Sequence, residues 1–404
     1  MSVHFVKSLI WSIDMQEDFH YYATYCAGLI AGYSHEDSLR IAFCDNFVDC
    51  CSKTFLNRIK GPAVAATTQM AMEMSNAPTD LIGLQQITSI WASFHFLPGD
   101  LYSKVKGAKP YRDKYHMICK PNSDLSVKTA KLAKGKGLEA IGLAMHVVSD
   151  TWAHQNFAGT PSLVINNMSD HIYEVFPDGK EERLVFWKKP GKPEDVDERN
   201  YINSIFSASE TSIFNLGHGR AGHIPDYSFI RYRYLPAWGH YEEILKDNPS
   251  DYMSAFTQLV YALRYYRGDY SDFKKDTYDT KAIEKWESEI RGIFEKRQLL
   301  SNEDWKKFAK DHFNTDLPDF DMELYDEEYE KAEGDAKKDT VLGRFFTAAI
   351  AHKVMVVHEI FASGNKLAGY SAIPKKVNRK GLIVDRELIE EEDENRIFVS
   401  EKEE

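Results

Sequence analysis

The sequence predicts an all-α fold: a large helical domain carrying a short β-hairpin or irregular insertion. Three observations carry that reading. Apolar residues recur at helical spacing in several long segments, strand-like runs are too few and scattered for an α/β sheet, and no internal repeat is evident. With 404 residues, 43% of them apolar and 13% aromatic, the chain can bury a sizeable core.

The elements follow in order. "HYYATYCAGLIAGY" (20–33) has helical apolar spacing and stops at a glycine. Ser34 is placed to cap "HEDSLRIAFCDNFVDCCSKTF" (35–55), with Glu36 and Asp37 in the first turn, where the helix dipole favours acids. Residues 83–95 are amphipathic. Asn122 or Ser123 can cap a helix around Leu125, interrupted by Gly135 and Gly137, and 138–157 reads as a largely apolar helix. Residues 160–196 differ: "PDG" and "PGKP" bracket short β-prone runs, which predicts the insertion. Helices resume at about 198–216, 249–267, 280–297 and 302–312, and 341–362 is a strongly apolar core helix. This gives one domain over 1–365 and a charged C-terminal extension over 366–404.

Net charge is −12, but residues 381–404 alone hold ten acids and three bases. The rest of the chain has no basic excess, which disfavours long nucleic acid as a partner. Cys26, Cys44, Cys50, Cys51 and Cys119 are odd in number and form no C-x-x-C pair, the pattern of reduced thiols in a cytoplasmic protein. The N-terminal apolar run is too short for a signal peptide, and no run of about 18 apolar residues predicts a membrane span.

Chemistry concentrates in "GLAMHVVSDTWAHQNFAG" (142–159). His146, Asp150 and His154 are each four residues apart, so on a helix they share a stripe about 80° wide. Their neighbours are apolar, and a buried carboxylate between two imidazoles is costly unless paired or metal-bound. Imidazole with carboxylate suits zinc, and also iron, manganese or nickel. Further candidates are His20 beside Asp18, Asp45 and Asp49 one turn apart, His95 before a Pro-Gly turn, and His218, His223 and Asp226 in "LGHGRAGHIPD". Singly, each also reads as a core histidine or a helix-surface acid.

In this order the motifs resemble the zinc-dependent phospholipase C and single-strand nuclease superfamily, whose members are all-α and hydrolyse phosphate esters with three zinc ions. "DFHYY…AGYS" and "FHFLPG" are similar to an uncharacterised bacterial branch with such motifs. The resemblance spans about residues 18–226, and H-x-x-x-D-x-x-x-H is its most specific part. It implies that Asp49, His95, His146 and Asp150 hold one metal. Asp150 bridges to a second metal held by His20. His154 and His218 hold a third, completed by His223 or Asp226. The chain departs from the superfamily in three ways. There the N-terminal residue is itself a ligand, whereas here 19 residues precede His20, so that either Asp14 or Asp18 substitutes or the second metal is absent. The last motif has Gly222 where an acid is expected four residues after His218, and the step from Asp150 to His154 is short.

The implied function is a metal-dependent phosphoesterase acting on a phospholipid head group, a nucleotide or a short single strand. Two or three zinc ions would activate a water oriented by Asp49 or Asp45. Arg220, Arg231 and Arg233 are candidates to bind phosphate. Tyr227 and its aromatic neighbours would wall a pocket or pack a core. Two rivals stand beside this reading. One is a non-hydrolytic di-iron or manganese protein, for which no E-x-x-H pair is found. The other is a structural protein with a metal-free polar His/Asp core.

Overall fold

The computed structural model describes residues 17–75, 80–187, 196, 200–202 and 208–370. Helices dominate, and the strands form one small antiparallel sheet plus a two-stranded pair. The chain opens in a π-helical turn, Asp18–Ala23, that continues as α1, Thr24–Ala31, and ends at Gly32 in the left-handed region. Ser34 caps α2, His35–Phe47: its Oγ accepts the Asp37 N–H at 3.0 Å.

The expected single helix over 35–55 breaks in two. Residues 48–50 form a turn, and Ser52 starts α3, Lys53–Arg58, by accepting the Phe55 N–H. The Thr67 hydroxyl donates to the Val48 carbonyl, which satisfies an acceptor freed by that break. Asp49 therefore sits in a turn, not on the helix that carries Asp45.

Next come α4, Leu81–Phe94, and α5, Asp124–Ala133, which Ser123 caps. α6, Leu138–Ala153, is the axis of the fold, with every residue from Glu139 to Ala153 buried. It packs against α2, α5, α7 (Asn248–Arg267) and α10 (Val341–Ala362). Gly142 permits the closest approach: a Cβ there would lie 2.4 Å from the Ile41 carbonyl oxygen and 2.6 Å from Cys44 Cβ. Leu143 and Val147 of α6 join one apolar core, and Ala144, Met145 and Val148 join another. His146 and Asp150 lie on the seam between the two.

The insertion is real but not self-contained. β1, Met168–Val175, pairs with β2, Glu181–Arg183, as the expected hairpin. β1 also pairs with β5, Arg231–Pro236, which pairs with β6, Ile244–Asp247, giving the order β2-β1-β5-β6. β3, Val185–Trp187, pairs in parallel with β4, Asn200–Ile202. The helix expected over 198–216 is absent where the chain is described: β4 opens the stretch and a 3₁₀ turn, Ile213–Asn215, closes it. Among the described residues of that stretch, Ser212 caps the turn by accepting the Phe214 N–H.

The expected helix over 280–297 splits into Thr280–Ile283 and α8, Glu287–Glu295; α9 spans Asn302–Phe313. α10 is, among the described residues, the one helix long and apolar enough to cross a membrane by length and composition. The expectation of no span rested on an unbroken apolar run, which His352, Lys353, His358 and Glu359 interrupt. A stripe of α10, including Phe345, Phe346, Ala349 and Ile360, is buried in the core. The body reaches past 365, since Ala368 is buried; the acidic segment 381–404 lies outside the described residues.

Candidate metal centre

Four ligand-type atoms meet on the seam beside α6. His146 Nε2 lies 3.2 Å from Asp150 Oδ2, 3.3 Å from His95 Nδ1 and 3.6 Å from Asp49 Oδ1. His95 Nδ1 lies 3.2 Å from Asp150 Oδ2 and 3.7 Å from Asp49 Oδ1. A tetrahedral cation with arms of about 2.0–2.1 Å needs donor atoms about 3.3–3.4 Å apart; the His95, His146 and Asp150 atoms match one face of such a site, and Asp49 Oδ1 stands somewhat farther from the two imidazoles. The other oxygen of Asp150 lies 3.1 Å from His20 Nε2, so one carboxylate faces ligands on both sides.

A second group lies one imidazole away. Asp226 Oδ1 is 3.6 Å from His154 Nε2 and 3.4 Å from His218 Nε2. These three atoms are buried and have no hydrogen-bond partner. His154 links the groups: its Nδ1 lies 3.5 Å from Asp150 Oδ2 while its Nε2 faces Asp226.

The tautomers follow from the partners on the far side of each ring. A backbone carbonyl only accepts, so His95 Nε2–H donates to Thr67 at 3.0 Å. By the same rule His154 Nδ1–H donates to the His95 carbonyl at 2.8 Å and His218 Nδ1–H to Gly222 at 2.8 Å. His20 Nδ1 lies 2.7 Å and His146 Nδ1 3.4 Å from Asp45 Oδ1. Four of the five rings are thus hydrogen-bonded from behind at one nitrogen, His146 Nδ1 faces Asp45 without such a bond, and each ring turns its other nitrogen into the cluster, as metal-bound histidines do. Lone pairs and carboxylate oxygens brought together in this way repel unless a cation or extra protons lie between them. Burial opposes a charge on His20, but Asp45 and Asp150 outweigh it and push its pKa up to about 10. Burial likewise opposes charge on His154, yet Asp150 and Asp226 push it up to about 9. Asp150 is held well below the usual carboxylate range: burial would raise it, and His154 and His146 overcome that. A cation bound there would compete with protons for the same atoms.

The local chain explains these positions. A π-turn, an irregularity frequent at functional sites, carries His20. α6 ends at Ala153, so His154 is its C-cap rather than part of a helical stripe, and its ring turns toward the second group. Gly217 and Gly222 take positive φ in the loop that carries His218. Asn248 Nδ2 donates to the carbonyls of Ile224, Pro225 and Tyr227, which fixes the turn bearing Asp226.

Several expected residues fall elsewhere. Asp226, not His223, faces His154 and His218; His223 Nδ1 lies behind it, 3.3 Å from Asp226 Oδ2. Asp18 does not substitute as a ligand: its Oδ2 accepts the Ser301 N–H and hydroxyl ahead of α9. Asp14 lies outside the described residues. Asp45 holds Thr24 Oγ1 on its second oxygen at 2.7 Å and is fully buried, which leaves it no position as a base toward solvent. Arg231 and Arg233 do not reach the cluster. They project from the outer face of β5, where Arg231 pairs with Asp247 and Glu295 and Arg233 with Glu181 and Glu243. Tyr227 is core, stacked on Phe229 at 5.8 Å. Arg220 is buried in the loop that carries His218. Thr24 and the Thr67 carbonyl were missed; only Thr24, one turn after His20, left a signal in the sequence.

No curated protein and no solved structure matches the chain. Residues 15–360 match DUF6765, a family of unknown function, over a span that includes every residue of the cluster. The chain belongs to that family.

Proposed function

We propose that the protein is a metal-dependent phosphoester hydrolase. The observation that supports it best is the convergence of ring nitrogens and carboxylate oxygens within 3.2–3.7 Å of one another, four of the five rings hydrogen-bonded from behind. Asp49, His95, His146 and Asp150 would hold one cation, His20 with Asp150 a neighbouring one, and His154, His218 and Asp226 a third. Divalent cations, zinc first among them, supply an activated water and polarise a phosphoryl oxygen.

The remaining chemistry belongs to the chain. Asp49 is the one ligand whose side chain reaches solvent, at 13% exposure, so it marks the side from which water arrives and can accept its proton. Arg220, beside His218, supplies a guanidinium that suits a phosphate. Burial of the other ligands keeps bulk water from their lone pairs. With Arg231 and Arg233 committed to surface acids and a net charge of −12, a small phosphodiester or phospholipid head group suits the site better than a long nucleic acid. No disulfide joins any of the five cysteines, which suits a reducing, cytoplasmic setting.

Metal content of untagged wild type and Asp150→Ala, read by plasma mass spectrometry, tests this directly. Two or three zinc per chain, falling in the variant, followed by hydrolysis of a chromogenic phosphodiester, is the expected result. Iron or manganese at two per chain would move the assignment to redox chemistry. Folded wild type that takes up no added zinc would overturn it.

A further inference from the structure

We infer that Asp45 is a positioning residue that orients two ligand imidazoles at once, and so sets the paired cation positions on either side of Asp150. The inference rests on the metal reading above. Asp45 Oδ1 lies 2.7 Å from His20 Nδ1 and 3.4 Å from His146 Nδ1, while Thr24 Oγ1 donates to Oδ2 at 2.7 Å. The two rings stack with centroids 4.0 Å apart and planes 23° apart. His20 Nδ1 is hydrogen-bonded to that oxygen and His146 Nδ1 faces it without a hydrogen bond, so the nearly parallel rings carry their Nε2 atoms side by side on the opposite edge. There, His20 Nε2 meets Asp150 Oδ1 at 3.1 Å and His146 Nε2 meets Asp150 Oδ2 at 3.2 Å. Two imidazoles thus connect one oxygen of Asp45 to the two oxygens of Asp150.

Two features separate this role from that of a base. Asp45 lies behind the rings, away from the lone pairs, and is fully buried. Both of its oxygens are engaged. A carboxylate that accepts an imidazole N–H fixes the tautomer and makes the opposite nitrogen a better ligand. Thr24 is needed because a carboxylate held by rings at one oxygen only can pivot. Gly142 brings the α2 backbone at Asp45 against α6, so both histidines come within reach of one oxygen; a Cβ there would stand 3.0 Å from Asp45 N.

The test compares wild type, Asp45→Asn and Thr24→Val, each stripped with a chelator and reloaded. Zinc affinity is read by competition with a chromophoric chelator, and geometry by the visible absorption of the cobalt-loaded proteins. Asp45→Asn is expected to weaken binding about 10–100-fold and to alter the cobalt spectrum, and Thr24→Val to weaken it less. A purely structural role would lower the urea midpoint of the stripped protein and leave affinity and spectrum unchanged. That outcome overturns the inference while the metal centre stands. Wild type that binds no metal overturns the metal centre itself, and the inference with it. Should Asp45→Asn fail to fold, Thr24→Val decides, since it removes only the hydroxyl on Oδ2; unchanged affinity there overturns the inference.

Discussion

His154 Nε2 and Asp226 Oδ1 face each other at 3.6 Å, buried, and neither is hydrogen-bonded to anything. With His218 Nε2 on the other side of Asp226, three electron-rich atoms share one small space. Replacing Asp226 by Asn removes the charge that would hold a cation there, but its amide can donate to either ring. Asp226→Asn should therefore lower metal content by about one per chain. Its stripped form should stay within about 1 kcal/mol of stripped wild type. Plasma mass spectrometry and urea unfolding of the two proteins check both halves.

The metal-free protein should lose stability as the pH rises. His20 and His154 hold protons more tightly folded, at about 10 and about 9, than unfolded, at about 6.5. Their contribution is complete below pH 6.5 and disappears as the pH climbs through those values. Asp150 and Asp226 are held low, so their contribution is present above about pH 4 and is lost in acid. The urea midpoint of stripped protein should fall between about pH 6 and 9.5, while zinc-loaded protein gains over the lower part of that range as protons leave the ligands. A stripped midpoint that climbs toward pH 9.5 would contradict the assignment.

Gly142→Ala should separate α2 from α6. The new methyl would meet the Ile41 carbonyl oxygen at 2.4 Å, and backbone cannot yield as a side-chain tip can. A loss of about 1–3 kcal/mol is expected from overpacking. Metal binding should weaken too, because Asp45 and Asp49 ride on α2 and the turn that ends it, whereas His146 and Asp150 ride on α6. Calorimetric unfolding with and without zinc separates the two effects, and a variant with unchanged affinity would show that the spacing is not set there.

What the sequence made legible was local. The four-residue step from His146 to Asp150, the Ser34 and Ser123 caps and the apolar α6 and α10 are all periodic or capping signals, and the structure contains them, whereas His154 falls just past the helix end. The different roles of Asp45 and Asp49 were not legible, because they depend on where α2 stops. Ser52 competes with continued helix there, and the Val48 carbonyl finds a partner in Thr67, far along the chain. Arg231 and Arg233 were read as phosphate ligands although "RYRYLP" alternates. On a strand that alternation sends the arginines out and Tyr232 and Tyr234 in, as the sheet does. The pairing of β1 with β5 joins residues about sixty apart, and nothing local announces it.

α6 is enclosed along nearly its whole length, and its two ligands stand where the two apolar cores abut. An ion lodged there would face solvent only past Asp49, so its exchange would be limited to that one narrow path. The identity of the bound ion would then record the ion pool present when the chain folded, rather than the order of affinities at equilibrium. Protein made in cells starved of one metal would keep the substitute after the supply returned.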